Sequence, residues 1–217
     1  MSDVSRLQGL YVITDRELFL SLEKDISELV NLAIQGGARI VQYRNKISST
    51  AMRSEEAHKL LTLCRKRNVT LLINDDVDLA IEIDADGVHI GQSDMPVSEA
   101  RNILGKDKII GVTCHNKLEL AQAAQEAGAD YVAFGRFFPS KTKPSAPPAT
   151  VNILQQAKEL LSIPVVAIGG ITAASAQVLI DHGADMLAVS HSVFAANDII
   201  AGTQQLSRLF EAGRNTD

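Results

Sequence analysis

The feature that most constrains this chain is an alternation repeated eight times. A short apolar run rich in Val, Ile and Leu is followed each time by a longer stretch with apolar residues at helical spacing. The runs predicted as strands are residues 9–14, 40–43, 70–74, 87–90, 109–112, 131–134, 164–168 and 186–189. The stretches predicted as helices are residues 22–35, 50–67, 77–83, 97–104, 118–127, 151–161, 174–182 and 198–212. Strict alternation implies parallel strands joined by right-handed crossovers. Eight such units close into a (β/α)8 TIM barrel, for which about 200 residues is the compact limit. An open doubly wound sheet is the rival arrangement, and the unit count favours the barrel. Residues 1–217 are therefore expected to form a single α/β barrel domain.

A weak internal repeat supports the count. Gly37-Ala38-Arg39, Gly128-Ala129-Asp130 and Gly183-Ala184-Asp185 each join a helix end to a strand, with glycine suited to the left-handed cap. The chain carries 21 Lys plus Arg against 26 Asp plus Glu, a net charge of -5. That balance, with no basic block, argues against nonspecific nucleic-acid binding. The longest apolar runs, such as residues 163–168, are too short to span a bilayer, so no membrane partner is expected. Cys64 and Cys114 form no CxxC and no metal spacing. With a polar N-terminus that lacks an apolar signal region, this makes the cytoplasm the expected compartment.

Barrel active sites lie where strands end and βα loops begin. After strand two, Gln42, Arg44 and Lys46 share one face by the period of two, a donor array suited to phosphate; solvated charges at a strand end are the alternative. After strands three and four come Asn74-Asp75-Asp76 and Gly91-Gln92-Ser93-Asp94. Asp75 and Asp94 on neighbouring strand ends suit a magnesium ion; the alternative is capping, of the helix at Val77 by Asp75 or Asp76 and of a turn before Pro96 by Asp94. After strands seven and eight come Gly169-Gly170 and Ser190-His191, where barrels often bind a phosphate monoester; a plain turn is the alternative. The stretch 139–148 holds four of the six prolines, and by its length the loop at residues 140–148 is a candidate lid. His89 reads as a packed, hydrogen-bonded histidine, His115 as a residue at the mouth. No nucleophile–base pair is identifiable.

Seven segments together resemble the thiamine phosphate synthase family over nearly the whole chain. They are Tyr11-Val-Ile-Thr-Asp15, Gln42-x-Arg44-x-Lys46, Ile73-Asn-Asp75, Asp86-Gly-Val-His-Ile-Gly-Gln92 with Asp94, Gly128-Ala-Asp-Tyr131, Thr142-Lys143 and Ala167-Ile-Gly-Gly-Ile171. The resemblance implies a transferase that joins 4-amino-2-methyl-5-hydroxymethylpyrimidine diphosphate to 4-methyl-5-(2-phosphoethyl)thiazole, releasing thiamine phosphate and pyrophosphate. It implies one Mg2+ per active site on Asp75 and Asp94. It also implies that Gln42, Tyr43, Arg44, Asn45, Lys46, Asn74, Thr113 and Lys143 meet the pyrimidine diphosphate, with Arg44, Lys46, Thr113 and Lys143 acting on the leaving group. Ser140, Lys141, Thr142, Gly170, Ser190 and His191 are implied to meet the thiazole phosphate. Thr113 stands where serine is common in the family, and Ser190-His191 replaces an aliphatic-Ser pair. The partners implied are small phosphorylated molecules; self-association as a homo-oligomer is left open. A thiazole tautomerase-like barrel or a non-catalytic thiamine-phosphate sensor are the competing readings. Retention of the diphosphate and metal positions favours the synthase.

Overall fold

Four- and five-residue runs that are apolar at nearly every position suit strands buried on both faces, and seven of the eight strands of this protein are of that length, β5 being longer. The computed structural model describes residues 6–139 and 147–212. Its strands are β1 (Gly9–Ile13), β2 (Ile40–Tyr43), β3 (Thr70–Asn74), β4 (Gly87–Ile90), β5 (Ile109–His115), β6 (Tyr131–Phe134), β7 (Val165–Ile168) and β8 (Met186–Val189). They pair in parallel in chain order, and β8 pairs with β1 through Gly9–Met186 to Val12–Val189, closing the barrel. The open-sheet alternative is thereby excluded.

Alternation along each strand separates two cores. Leu10 and Val12 of β1 and Val41 and Tyr43 of β2 join the layer between barrel and helices. Tyr11, Ile13 and Ile40 instead fill the interior with Leu72, Tyr131, Val166 and Met186. Tyr131 fits inside because Gly111, opposite it on β5, has no side chain; a Cβ there would overlap the Tyr131 ring.

The two Gly-Ala-Asp repeats, together with Asp86, have a structural role at the N-terminal ends of the strands. Asp86, Asp130 and Asp185 each precede an even-numbered strand. Each carboxylate accepts from the first backbone N–H groups of the preceding strand: Leu71 at 2.7 Å, Ile110 at 2.8 Å and Val165 at 2.8 Å. Asp130 also pairs with Arg101, whose guanidinium spans to the Gly128, Gly105 and Lys108 carbonyls. Arg39 occupies the corresponding place before β2, where its N–H donates to the Leu10 carbonyl at 2.9 Å and its carbonyl accepts from Thr70 N–H at 3.1 Å. Asp130→Ala leaves the Ile110 N–H and Arg101 short of an acceptor. It is expected to cost about 1–3 kcal/mol, a fall in Tm of roughly 2–10 °C for a chain of this size, measured by thermal denaturation.

Three predicted elements differ, and one short helix was not predicted. Residues 22–35 are not one helix: Arg16–Ser21 is a separate helix capped by Asp15, and Ile26–Gln35 begins at its own cap, Asp25, which accepts from Ser27 N–H at 2.8 Å. Leu22 ends the first helix and Glu23 takes a left-handed φ of 52°, so the helical spacing of Leu22 with Ile26 spans a real break. The stretch 198–212 divides into Ile199–Ser207 and Leu209–Ala212. A four-residue helix, His191–Phe194, follows β8 directly. β5 continues past Val112 to His115, with a register shift against β6 between Thr113 and His115.

Candidate active site

A cavity of about 630 Å³ opens at the C-terminal ends of the strands. That is the end at which (β/α)8 enzymes place their chemistry. Gln42, Arg44 and Lys46 all line it. The end of β2 is fixed by Thr14, buried just after β1, whose hydroxyl accepts from Arg44 N–H at 2.8 Å and donates to the Arg44 carbonyl at 3.1 Å. The Arg44 side chain is thus aimed by its backbone. Its Nε is buried and makes no hydrogen bond among the described residues. A buried guanidinium N–H is costly to leave unmet, so this atom points to an anionic ligand.

Tyr43 and Asn45 are not among the residues that line the cavity. They lie on the opposite face of the strand and its extension. The Tyr43 hydroxyl donates to Glu56 Oε2 at 2.8 Å, and Asn45 Nδ2 donates to the same oxygen at 2.8 Å. Asn45 Oδ1 accepts from Ile47 and Ser48 N–H, folding the loop after β2. Burial first, then the Glu56 carboxylate, pushes the Tyr43 phenol well above its ordinary range. Both residues hold the loop that presents Arg44 and Lys46.

The choice between capping and cavity divides between adjacent aspartates. Asp76 caps the helix Val77–Glu82, accepting from Leu79 N–H at 3.0 Å. Asp75, at φ 62°, turns to the cavity with Asn74. Its N–H donates to the His89 carbonyl at 2.8 Å, and its carboxylate pairs with Lys46 at 2.7 Å. Asp94 faces it from the loop after β4, accepting from Gly91 N–H at 2.7 Å. The two carboxyl groups lie close enough for each to shift the other's titration. Burial would raise Asp75, but the bond to Lys46 outweighs it and holds this carboxyl below the usual carboxylate range. Asp94 is pushed above that range by burial and by its ionised neighbour, only partly offset by the Gly91 N–H. Two like charges this close share a proton, and a divalent cation can take the proton's place. The donors are hard oxygens, and the described residues hold no group of three or more His, Cys, Asp or Glu fit for a metal. Two carboxylates with the remaining positions left to water and ligand oxygens are a donor set that fits magnesium.

Across the cavity, Gly169 and Gly170 follow β7 at φ 101° and 65°, a backbone path suited to glycine. A Cβ at Gly170 would strike the Pro139 carbonyl. Gly170, Ser190 and His191 line this side. Ser190 Oγ is buried and makes no hydrogen bond among the described residues. Ser140, Lys141, Thr142 and Lys143 lie outside the described residues, as does most of the candidate lid.

His115 lines the mouth as the sequence suggested, and His89 is packed and hydrogen-bonded as read. His89 also borders the cavity, as do Arg136 and Gln92, which sequence reasoning did not select as site residues. For His89 the signal was available: Val88 and Ile90 belong to the outer layer, so the period of two turns His89 inward. Arg136 follows a strand end at Gly135 but carries no motif of its own. Cys114 is buried and its thiol is pushed up to about 12 by burial, so it offers no thiolate at neutral pH.

A family model for thiamine monophosphate synthase matches residues 10–193. The chain is 47% identical over 209 residues to a thiamine-phosphate synthase of Thioalkalivibrio sulfidiphilus, covering 95% of this chain and 97% of that protein. It is 50% identical over 204 residues to a thiamine-phosphate synthase of Thiobacillus denitrificans, covering 94% and 95%. Among solved structures it is similar to a thiamine phosphate pyrophosphorylase from Pyrococcus furiosus. The TM-score is 0.87 at 36% identity, over 96% of this chain and 98% of that one.

Proposed function

The chain belongs to the thiamine monophosphate synthase family, and from that premise we infer that its reaction is the synthase reaction. It is a transferase that joins the pyrimidine diphosphate to the thiazole phosphate, giving thiamine phosphate and pyrophosphate. The observation that carries this reading is one cavity with two differently built ends. Arg44, Lys46 and the Asp75–Asp94 pair stand at one end; the Gly169–Gly170 loop and Ser190 stand at the other. The first end suits a diphosphate with magnesium, the second a phosphate monoester.

The chemistry follows from what must happen to each substrate. The thiazole ring nitrogen has its lone pair available, so no side chain has to deprotonate it. The difficult event is departure of pyrophosphate from the methylene carbon of the pyrimidine. The Arg44 guanidinium, with its buried unmet N–H, and the Lys46 ammonium face the oxygens on which charge grows. A magnesium ion held by Asp75 and Asp94 would supply further charge neutralisation there. Thr113 contributes a hydroxyl beside them. The loops after β7 and β8 hold the second phosphate, and fixing both anionic ends brings nitrogen and carbon into attack geometry. Gly170, Ser190 and His191 are assigned to the thiazole phosphate on this reading. Lys143 is assigned to the leaving group and Ser140, Lys141 and Thr142 to the thiazole phosphate, by the family resemblance alone. Cytoplasm is the compartment this reading implies; it is supported by two buried free thiols. No helix of the described residues is long and apolar enough to cross a membrane.

The test is direct. Purified protein mixed with both substrates and magnesium should give thiamine phosphate and pyrophosphate in equal amounts, with turnover abolished by a chelator and restored by Mg2+. Turnover that persists in chelator would remove the metal from the reading. Absence of product with either ligand still bound would favour the tautomerase-like or sensor alternatives.

A further inference from the structure

Beneath the cavity, five side chains from five strands form an unbroken line of hydrogen bonds. Gln42 Nε2 on β2 donates to the Tyr11 hydroxyl on β1 at 2.5 Å. The Tyr11 and Tyr131 hydroxyls, on β1 and β6, are 3.0 Å apart. Tyr131 meets His89 Nδ1 on β4 at 2.8 Å, and His89 Nε2 meets Thr113 Oγ1 on β5 at 2.8 Å. Both tyrosines are almost wholly buried, while Gln42, His89 and Thr113 border the cavity. The tyrosines stand edge to face at 6.2 Å, and His89 stacks on Tyr131 at 5.6 Å, so each ring fixes the next.

Counting protons gives the line a direction. An amide nitrogen only donates, so Tyr11 oxygen accepts from Gln42. The Tyr11 hydrogen then passes to Tyr131, its only other hydrogen-bond partner among the described residues. Tyr131 in turn gives its hydrogen to His89 Nδ1, which must be bare. A neutral imidazole then carries its proton on Nε2 and donates it to Thr113 Oγ1. The Thr113 hydroxyl hydrogen is left pointing away from His89, on the cavity side. Burial raises both phenols far above their ordinary range, so neither loses the hydrogen the line requires.

We propose that the Tyr11–Tyr131–His89 line is a positioning device: the orientation of the Gln42 amide fixes the His89 tautomer and thereby presents the Thr113 hydroxyl as a hydrogen-bond donor to an oxyanion in the cavity. Turning the amide over reverses every bond, so that Thr113 donates its hydrogen to His89 Nε2 and only lone pairs are left to face the anion. Tyr11, Tyr131 and His89 act through Thr113. The synthase reading enters only in naming that oxyanion as part of the diphosphate.

The closing experiment separates the two. Nitrogen NMR of the ligand-free full chain, labelled at histidine and assigned with His89→Asn, reads the His89 tautomer without any substrate. The expected result is a bare Nδ1 and a protonated Nε2; a protonated Nδ1 overturns the direction. In Gln42→Glu the carboxylate accepts from Tyr11, and the tautomer should invert; an unchanged tautomer overturns the coupling. In the coupling assay, Tyr131→Phe should lower kcat about tenfold with an unchanged KM for the thiazole phosphate. Thr113→Val should cost roughly 10²-fold in the parent protein but only about tenfold in the Tyr131→Phe background. Additive losses would overturn the relay. A protein with the expected tautomers but no synthase turnover would sink the functional reading and leave the hydrogen-bond direction standing.

Discussion

Arg44→Ala is expected to lower kcat/KM by roughly 10²–10³-fold, the usual cost of removing one aimed donor from developing negative charge. Its effect on Tm should be small or favourable. The Arg44 backbone is held by Thr14 and not by its own side chain, and the variant removes a buried Nε that has no hydrogen-bond partner among the described residues. Function and stability therefore pull in opposite directions at this position. Arg44→Lys restores the charge but not the planar fork and should recover only part of the loss. Steady-state kinetics with either substrate varied, alongside thermal denaturation, checks both halves. A large fall in Tm with unchanged kcat/KM would make Arg44 a structural residue.

Asp75→Asn should reduce turnover by about 10²-fold or more, since charge stabilisation through a metal is worth several kcal/mol. The magnesium concentration needed for half-maximal rate should rise with it. Asparagine is the informative replacement because it keeps the shape and tolerates the left-handed φ of 62° at this position. The fold should survive. The lost pair with Lys46 involves a side chain 53% exposed, and exposed ion pairs contribute little. Against it, Asp94 is relieved of its ionised neighbour. Magnesium titrations of rate in the parent and variant proteins read this directly. Identical midpoints would show that Asp75 does not hold the ion.

Much of this was legible before any coordinates. A strand buried on both faces must be largely apolar, so eight such runs stand out from the helices between them, and four of them, at 9–14, 87–90, 131–134 and 164–168, begin at or directly adjoin a glycine or proline. The same period of two put Gln42, Arg44 and Lys46 on one face, and the cavity is lined by all three. Applied consistently, that period also turns Tyr43 and Asn45 outward; family resemblance drew them into the substrate set because a motif is contiguous in sequence while a strand alternates in space. The break between Arg16–Ser21 and Ile26–Gln35 escaped because apolar spacing runs across it, and only the caps Asp15 and Asp25 mark it.

Burial period and strand-end composition are local properties of a chain, so the fold class, the end of the barrel that carries the site and the chemical character of its two ends are readable from the residues alone. Tertiary structure alone decided which of Asp75 and Asp76 caps a helix and which meets Asp94. It alone joined Tyr11 to Tyr131, 120 residues apart, and set the bulge that carries β5 beyond Thr113. Each depends on what neighbouring strands bring together in space: β3 beside β4 for the aspartates and β5 beside β6 for the bulge. The tyrosine pair depends on closure as well, because only when β8 returns to β1 do β1 and β6 face one another across the interior.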